Sequence, residues 1–226
     1  MRLNNIFRSI IGSMAQEYRL NVTANNLSNV NTPGFKRDVP VFKDFMVTAT
    51  KSDFSQGMLK QTGGRFDLAL SGPGFFQIQT PFGTRFTRNG IFTLNSDGVL
   101  VTQDGYPIQG ELTIPREARE VVIGPDGSVL ADNENIGAIE IVEFENLSML
   151  KKQGNDFFMP LSAGVTGSAA EKTTIEQGYL EMSNVNPVNA MINLIDTTRT
   201  YEAFQKVIHS FEETDTKIIN DVGRLF

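Results

Sequence analysis

The sequence predicts a mainly β central domain, hairpin-rich and spanning roughly residues 66–182, flanked by N- and C-terminal α-helices that form a coiled-coil-like layer. Three observations support this fold class. Both chain ends place apolar residues at helical spacing, whereas the middle alternates short β-branched and aromatic runs with Gly-containing turns. At 226 residues the chain is also long enough to bury a core of its own.

The first element is a helix at the amino end. Leu3, Phe7, Ile10 and Met14 follow one another at steps of four, three and four, which places them on one helical face. Several Asn residues follow, and a Pro-Gly pair cannot continue a helix. The helix is therefore expected to end near Leu27 or Ser28.

The middle of the chain has the texture of strands and tight turns. The runs FDLAL, FFQIQT and VLVT are separated by segments such as SGPG and NSDG, as hairpins require. We interpret residues 66–182 as an all-β domain and residues 36–65 as a linker or extended segment that leads into it.

The last element is a long helix. Asn186 suits the N-cap, and Pro187 suits the first helical position because the N–H that it lacks has no intrahelical partner there. Residues 183–226 form this C-terminal region, and the helix would be about 60 Å long. Together with residues 1–35, it is expected to make up a helical core domain.

The tetrapeptide Ser-Asn-Val-Asn occurs twice, at residues 28–31 and 183–186. The first copy ends a helix and the second begins one, so both mark junctions between the helices and the β region. Asn tolerates left-handed backbone, and its amide can bond nearby backbone groups. We expect Asn26 and Asn29 to make such contacts; similar turn chemistry is sufficient to explain the repeat.

Composition excludes several kinds of function. With no Cys, the chain has no disulfide, thiol nucleophile or Cys-ligated zinc. The middle segment 47–186 carries ten Lys or Arg against seventeen acids, which opposes nucleic-acid binding. No apolar run is long enough for a membrane span, and the amino end lacks the pattern of a cleavable secretory signal. No cofactor or metal site is expected.

A long helix with a narrow apolar stripe must bury that stripe against something. A heptad-like pattern names no partner, so an internal helix pair and a contact with other copies remain equally open. If other copies cover the stripes, the polymerisation interface comprises Leu3, Phe7, Ile10, Met14, Leu27, Val188, Met191, Ile195, Tyr201, Phe204, Ile208, Phe211, Ile218 and Val222.

Three separated blocks resemble the rod and hook family of axial proteins of the bacterial flagellum. The first is ANNLSNVNTPGFK at residues 24–36, the second combines FDLALSGPGFFQ and TRNG, and the third is EMSNVNPV at residues 181–188. Within the family, the chain most resembles the proximal-type longer rod protein, with the distal type next. The signature residues are Asn25, Asn26, Leu27, Asn29, Asn31, Pro33, Gly34, Phe35, Ser183, Asn184, Val185 and Asn186.

The resemblance implies a structural subunit that polymerises through its terminal helices into the tubular drive shaft of the basal body and transmits torque for motility. The implied partners are the chain itself, other rod and hook axial proteins, and the flagellar type III export apparatus. The implied location is the rod in the periplasmic space, reached without a cleavable signal peptide. Phe7 and Ile11 fit the loose export pattern of the family.

Other functions remain as alternatives. One is a distal rod or short hook-like axial protein of the same family. A peptidoglycan-cleaving enzyme would use Glu143 and Glu145, which are two residues apart and so lie on the same face of a strand. Such enzymes, however, need two carboxylates in a cleft, one of them with a raised pKa. His209 is the sole histidine and is expected at a packing or surface position. A monomeric binding module would pair its helices internally and protect its termini from proteolysis.

Overall fold

The computed structural model describes residues 2–43, 46–110, 112–154, 156–162, 165 and 167–223. Two compact units make up the chain. The helical unit contains Met1–Ser28, Asp38–Lys51 and Asn186–Phe226, and the β unit contains Asn29–Arg37 and Ser52–Val185.

Two long helices dominate the helical unit. α1 spans Arg2–Ser28 and α2 spans Pro187–Gly223, so α2 is about 55 Å long. The Asn186 side chain accepts a hydrogen bond from the Asn189 backbone N–H at 3.0 Å, which confirms it as the N-cap. The two helices contact each other.

A two-stranded hairpin belongs to the helical unit as well. β1 spans Asp38–Lys43 and β2 spans Met46–Ser52. The Arg19 guanidinium lies 4.4 Å from the centre of the Phe42 ring, and the Tyr18 hydroxyl bonds Thr50. These contacts hold the hairpin against α1.

The β unit consists of fifteen further strands and one short 3-10 helix, Leu147–Met149, within the described residues. In chain order the strands are β3 Leu59–Gln61, β4 Leu68–Ser71, β5 Phe75–Thr80, β6 Gly83–Thr87, β7 Thr93–Leu94, β8 Leu100–Val101, β9 Val121–Ile123, β10 Ser128–Ala131, β11 Glu134–Ala138, β12 Ile141–Glu143, β13 Leu150–Gln153, β14 Phe157–Pro160, β15 Ser168–Ala169, β16 Thr174–Gln177 and β17 Tyr179–Glu181.

These strands form antiparallel sheets built from short connections. A six-stranded sheet has the order β13-β14-β6-β5-β12-β15, and a three-stranded sheet has the order β11-β10-β9. The pairs β16-β4 and β17-β3 bring the end of the β unit back to its beginning. The hairpin β5-β6 runs in register from Phe76 opposite Thr87 to Thr80 opposite Gly83.

Two apolar clusters fill the β unit, one on each face of the six-stranded sheet. Because successive side chains of a strand point to opposite faces, Phe75 and Phe76 of β5 enter different clusters. Phe76 packs edge-on against Phe92 at 5.2 Å between ring centres, while Phe75 packs against Phe158 at 5.8 Å. Covering both faces with aromatic side chains gives the sheet a core on each side.

The predicted fold class is confirmed: two terminal helices flank a mainly β region. The structure divides the chain differently from the predicted domains, however. Residues 29–37 belong to the β unit, and the segment 36–65, predicted as a linker or extended segment, contains β1, β2 and β3.

Candidate functional site

Three charged side chains meet at one buried point of the β unit. Lys36 Nζ lies 2.6 Å from Glu181 Oε1, and Arg88 Nη1 lies 3.3 Å from Glu181 Oε2. Their side chains are 1%, 2% and 0% exposed for Lys36, Arg88 and Glu181 respectively. We call these residues the buried triad. Each comes from a different one of the three sequence blocks described above.

Further hydrogen bonds hold the buried triad in place. Glu181 Oε1 also accepts the Gly57 backbone N–H at 2.8 Å, and Lys36 Nζ donates to the Ser55 carbonyl at 2.8 Å. Arg88 Nη2 donates to the Gly72 carbonyl at 2.7 Å. Among the described residues, Arg88 Nε has no hydrogen-bond partner. The triad therefore sets two cations against one carboxylate in the interior.

Burial changes the acid-base behaviour of both cations. It lowers the pKa of the Lys36 ammonium below its usual value; Glu181 opposes this change, and the neighbouring charge of Arg88 adds to it. Burial likewise lowers the pKa of Arg88, again against the attraction of Glu181. Desolvation is thus the largest cost of the arrangement.

Hydrogen bonds around the triad join the segment that follows α1 to the segment that precedes α2. The Gly34 N–H donates to the Glu181 carbonyl at 2.7 Å, and Asn184 Oδ1 accepts the Arg37 backbone N–H at 2.7 Å. The Asn184 amide nitrogen donates in turn to the carbonyls of Asp53 at 2.8 Å and Ser55 at 3.0 Å. The second Ser-Asn-Val-Asn copy therefore ties the entry to α2 to the segment that follows α1.

The Pro-Gly pair of the first block forms a turn that permits this approach. The Phe35 N–H donates to the Thr32 carbonyl at 3.3 Å, and Gly34 has a φ of 72°. A Pro followed by a left-handed Gly is the arrangement of a type II turn. A Cβ on Gly34 would overlap the Asn89 backbone nitrogen, so the position requires glycine for space as well as for conformation.

The remaining signature residues have smaller parts. The Asn26 side chain makes two hydrogen bonds with the Asp38 backbone, at 2.7 and 2.8 Å, in agreement with the expectation that its amide bonds nearby backbone groups. Asn29 is buried, and its Oδ1 accepts the Thr32 hydroxyl at 3.2 Å. The others are placed as follows: Phe35 and Val185 are buried, Leu27, Pro33 and Ser183 are half-buried, and Asn25, Asn31 and Asn186 are exposed.

The predicted polymerisation residues divide into two groups. One group is half-buried within the helical unit: Leu27, Tyr201, Phe204, Ile208 and Phe211. The Phe204 ring lies over Gly12, where an added Cβ would come within 2.6 Å of the ring, and Gln205 donates to the Ser13 hydroxyl at 3.1 Å. Phe204 thus serves the internal helix pair. The side chains of Leu3, Ile218 and Val222 lie outside the described residues.

The second group is exposed and forms two patches. The α1 patch consists of Phe7, Ile10 and Met14. The α2 patch consists of the predicted Val188, Met191 and Ile195, together with Ile192, which the sequence analysis did not include. Side chains in these patches are 41% to 63% exposed. Exposed apolar groups at helical spacing are typical of an interaction surface. In the export pattern, Phe7 is exposed and Ile11 is half-buried.

The side chains considered for catalysis do not have the surroundings that catalysis needs. Glu143 accepts the Thr173 hydroxyl at 2.7 Å, and this bond lowers the pKa of the carboxyl, opposite to the change that a general acid needs. Glu145 and His209 are exposed, and His209 lies 3.4 Å from Glu212. In the described part of the chain, no three His, Cys, Asp or Glu residues are grouped to hold a metal, and neither helix is apolar enough over its length to cross a membrane.

The sequence did not predict the buried triad. A lone Lys, Arg or Glu is usually exposed, so charge alone gave no reason to place these residues inside. A signal was present nevertheless: each block carries a charge beside residues that build a turn or strand, and the charges differ in sign.

Comparisons with known families match the same three regions. The model of the flagellar hook protein FlgE/F/G D1 domain matches residues 69–131, that of the flagellar basal body rod FlgEFG protein C-terminal matches 176–221, and that of the flagella basal body rod protein matches 12–36. Each matched region contains one residue of the buried triad.

Relatives match over nearly the full length of the chain. The flagellar basal-body rod protein FlgF of Caulobacter vibrioides is 33% identical, over 98% of this chain and 99% of the relative. The flagellar basal-body rod protein FlgG of Buchnera aphidicola subsp. Schizaphis graminum is also 33% identical, over 95% and 98%. The Bacillus subtilis protein of the latter name is 31% identical, over 96% and 98%.

Proposed function

Because this chain belongs to the family of flagellar basal-body rod proteins, we propose that its terminal helices carry the contacts through which rod subunits assemble. The family is one of structural proteins, and the chain is a structural subunit of the flagellar basal body that assembles with other axial proteins. What remains to be assigned is the surface that makes those contacts.

The observation that carries the proposal is the exposure of the α1 and α2 patches. Seven apolar side chains of the terminal helices are about half exposed in the single chain. Covering each would contribute on the order of 1 kcal/mol, about half of its full burial value. The sum is comparable with the roughly 4–15 kcal/mol that association costs in lost freedom. A single contact would therefore be weak, and assembly would depend on several neighbours at once.

Torque transmission fits contacts of this kind. Closely packed apolar surfaces are dense and transmit strain, so a repeated helix contact spreads load over many subunits. We propose that the terminal helices line the inner wall of the shaft and that the β unit forms an outer layer. The support is the resemblance of the terminal blocks to axial proteins, together with the exposed patches.

The finer identity is also a proposal. We place the subunit in the proximal part of the rod, within the periplasm, and we propose that the type III export apparatus delivers it without a cleavable signal. The support is the C-terminal block EMSNVNPV followed by NAMINLID, and the Phe7 to Ile11 spacing. The relatives include both FlgF and FlgG proteins at the same identity, so the distal rod remains the alternative.

The experiment places a charge in the α2 patch. Met191→Glu in the native chromosomal gene is expected to abolish swimming in soft agar and to remove the rod from isolated basal bodies, because the new carboxylate would have to be buried in the contact. The purified variant should keep the circular dichroism of the natural chain, since Met191 is 51% exposed.

Phe82→Glu is the matched control. Phe82 is 78% exposed at the tip of the β5-β6 hairpin, away from both helices in sequence, so the same change there should leave swimming intact. Normal swimming by the Met191→Glu strain would contradict the assignment of the helices as the assembly surface.

A further inference from the structure

Each helix has an outer face that changes character along its length. On α1 the exposed face is apolar through the α1 patch and then polar at Glu17 and Asn21. On α2 the exposed face is apolar through the α2 patch and then charged at Arg199, Glu202 and Lys206. Residues three or four apart share a helical face, so each series is one continuous surface.

Because of how the two helices pack, the apolar-to-polar order of α1 and that of α2 run in opposite directions in space. α1 leads into the junction at Ser28 and α2 leaves it at Pro187, and the contacting residues Gly12 and Phe204 lie at nearly equal distances along each helix from that point. The helices are therefore antiparallel. As a result, the apolar half of one outer face lies level with the polar half of the other, and the two patches are offset by about 20 Å along the axis at roughly 1.5 Å per residue.

We propose that the α1 patch of one copy packs against the α2 patch of a second copy that points in the same direction and is shifted by about 20 Å along the helix axis. This inference rests on the proposed function and specifies its partner. Without the shift, copies side by side would set each apolar patch against the polar half of its neighbour. A contact between two different patches is heterologous, so it leaves one free patch at each end and propagates.

Charge favours this pairing over self-pairing of either patch. Within residues 7–14 the single charged residue is Arg8, and within residues 188–196 it is Asp196; both are exposed. Pairing the two different patches brings opposite charges to the same contact, whereas pairing two copies of one patch brings like charges together. The partner that fits the α1 patch is thus the α2 patch of another copy.

Disulfide cross-linking tests the pairing directly, because the chain contains no Cys. Met14→Cys and Val188→Cys, which are level with each other at the proposed shift, are purified separately, mixed under assembly conditions and oxidised. The mixture should give about tenfold more cross-linked dimer than either variant alone, as expected for complementary contacts. Ile10→Cys with Ile192→Cys provides a second pair at the same shift if the first geometry does not allow a bond.

The double variant Met14→Cys/Val188→Cys separates an open contact from a closed one. An open contact gives a ladder of dimers, trimers and longer products, whereas a two-fold contact stops at the dimer. The two sites of one chain cannot react with each other, because about 20 Å exceeds the roughly 4–7 Å between Cα atoms that a disulfide spans. Thr200→Cys, exposed on another side of α2, should not cross-link with Met14→Cys.

A charge exchange gives an independent readout. Arg8→Asp should reduce cross-linking, and adding Asp196→Arg should restore it. Cross-links within each variant alone, or a dimer without a ladder, would overturn the staggered pairing while leaving assembly through the helices in place. Absence of cross-links in both pairs, although Met191→Glu abolishes swimming, would also overturn this pairing. Normal swimming of Met191→Glu would instead reject the proposed function itself.

Discussion

Replacing the central acid of the buried triad tests how the chain tolerates three charges in its interior. Glu181→Gln keeps the shape of the side chain and one acceptor oxygen for the Gly57 N–H, but it removes the negative charge. Lys36 and Arg88 would then remain buried without a counter-charge. Lys36→Met removes one of the two cations instead and leaves the Arg88–Glu181 pair.

The structure sets the expected magnitudes. Breaking a buried ion pair by removing one partner typically costs about 3–5 kcal/mol, because the other charge stays buried, and Glu181→Gln leaves two such charges. Lys36→Met should cost less, about 1–2 kcal/mol, since it also relieves a desolvation penalty. After that change the Ser55 carbonyl still accepts from Asn184, and Glu181 still accepts from Gly57 and Arg88.

Guanidinium unfolding of the purified full-length variants, followed by far-ultraviolet circular dichroism, measures both losses of unfolding free energy. The ranking is the informative result. If Lys36→Met proved as costly as Glu181→Gln, the excess of positive charge would not govern the site, and the reasoning from net charge would fail.

Three further predictions concern packing and pH. Gly12→Ala should gain about 1 kcal/mol in helix propensity, but its new methyl group would press on the Phe204 ring. The free energy of unfolding should therefore rise when Gly12→Ala is made in a Phe204→Ala background, and stay the same or fall when it is made in the natural chain. Gly34→Ala should cost about 3 kcal/mol or more of stability because its Cβ would meet backbone atoms. Gly63 has a similar φ but open space around it, so Gly63→Ala should cost only about 1 kcal/mol. Equal losses of stability in thermal melts would contradict the steric argument. Burial raises the pKa of Asp156, so the folded state binds the proton more tightly than the unfolded chain does. Relative to Asp156→Asn, the natural chain should therefore gain stability as the pH falls through the raised pKa towards 4. Parallel profiles of stability against pH for the two proteins would rule this out.

Periodicity was sufficient to predict the helices but not to divide their residues. A stripe at steps of three and four identifies one apolar face, and α1 and α2 were found from it. It does not distinguish Phe204, which packs on α1, from Met191, which is exposed, because a heptad pattern names no partner. That distinction requires the positions of both helices.

The hairpin and the buried triad were missed for different physical reasons. β1 contains Pro40, which weakens a strand prediction, and its alternation of exposed and half-buried residues extends over only six positions. The triad depends on contacts such as that between Lys36 and Glu181, which are 145 residues apart. No local pattern reports a contact at that separation, and the base expectation for each charge is exposure.

The buried triad is better explained by specificity than by stability. Apolar side chains of similar volume often replace buried ion pairs without loss, so stability alone does not require three charges here. A charged cluster has one satisfactory arrangement, since Glu181 must meet both Lys36 and Arg88, whereas an apolar cluster tolerates slippage. α1 ends just before the segment that supplies Lys36, and α2 begins just after the segment that supplies Glu181. We infer that the triad fixes the register in which the two chain segments leave the β unit, so that every copy starts its two helices from the same pair of backbone positions.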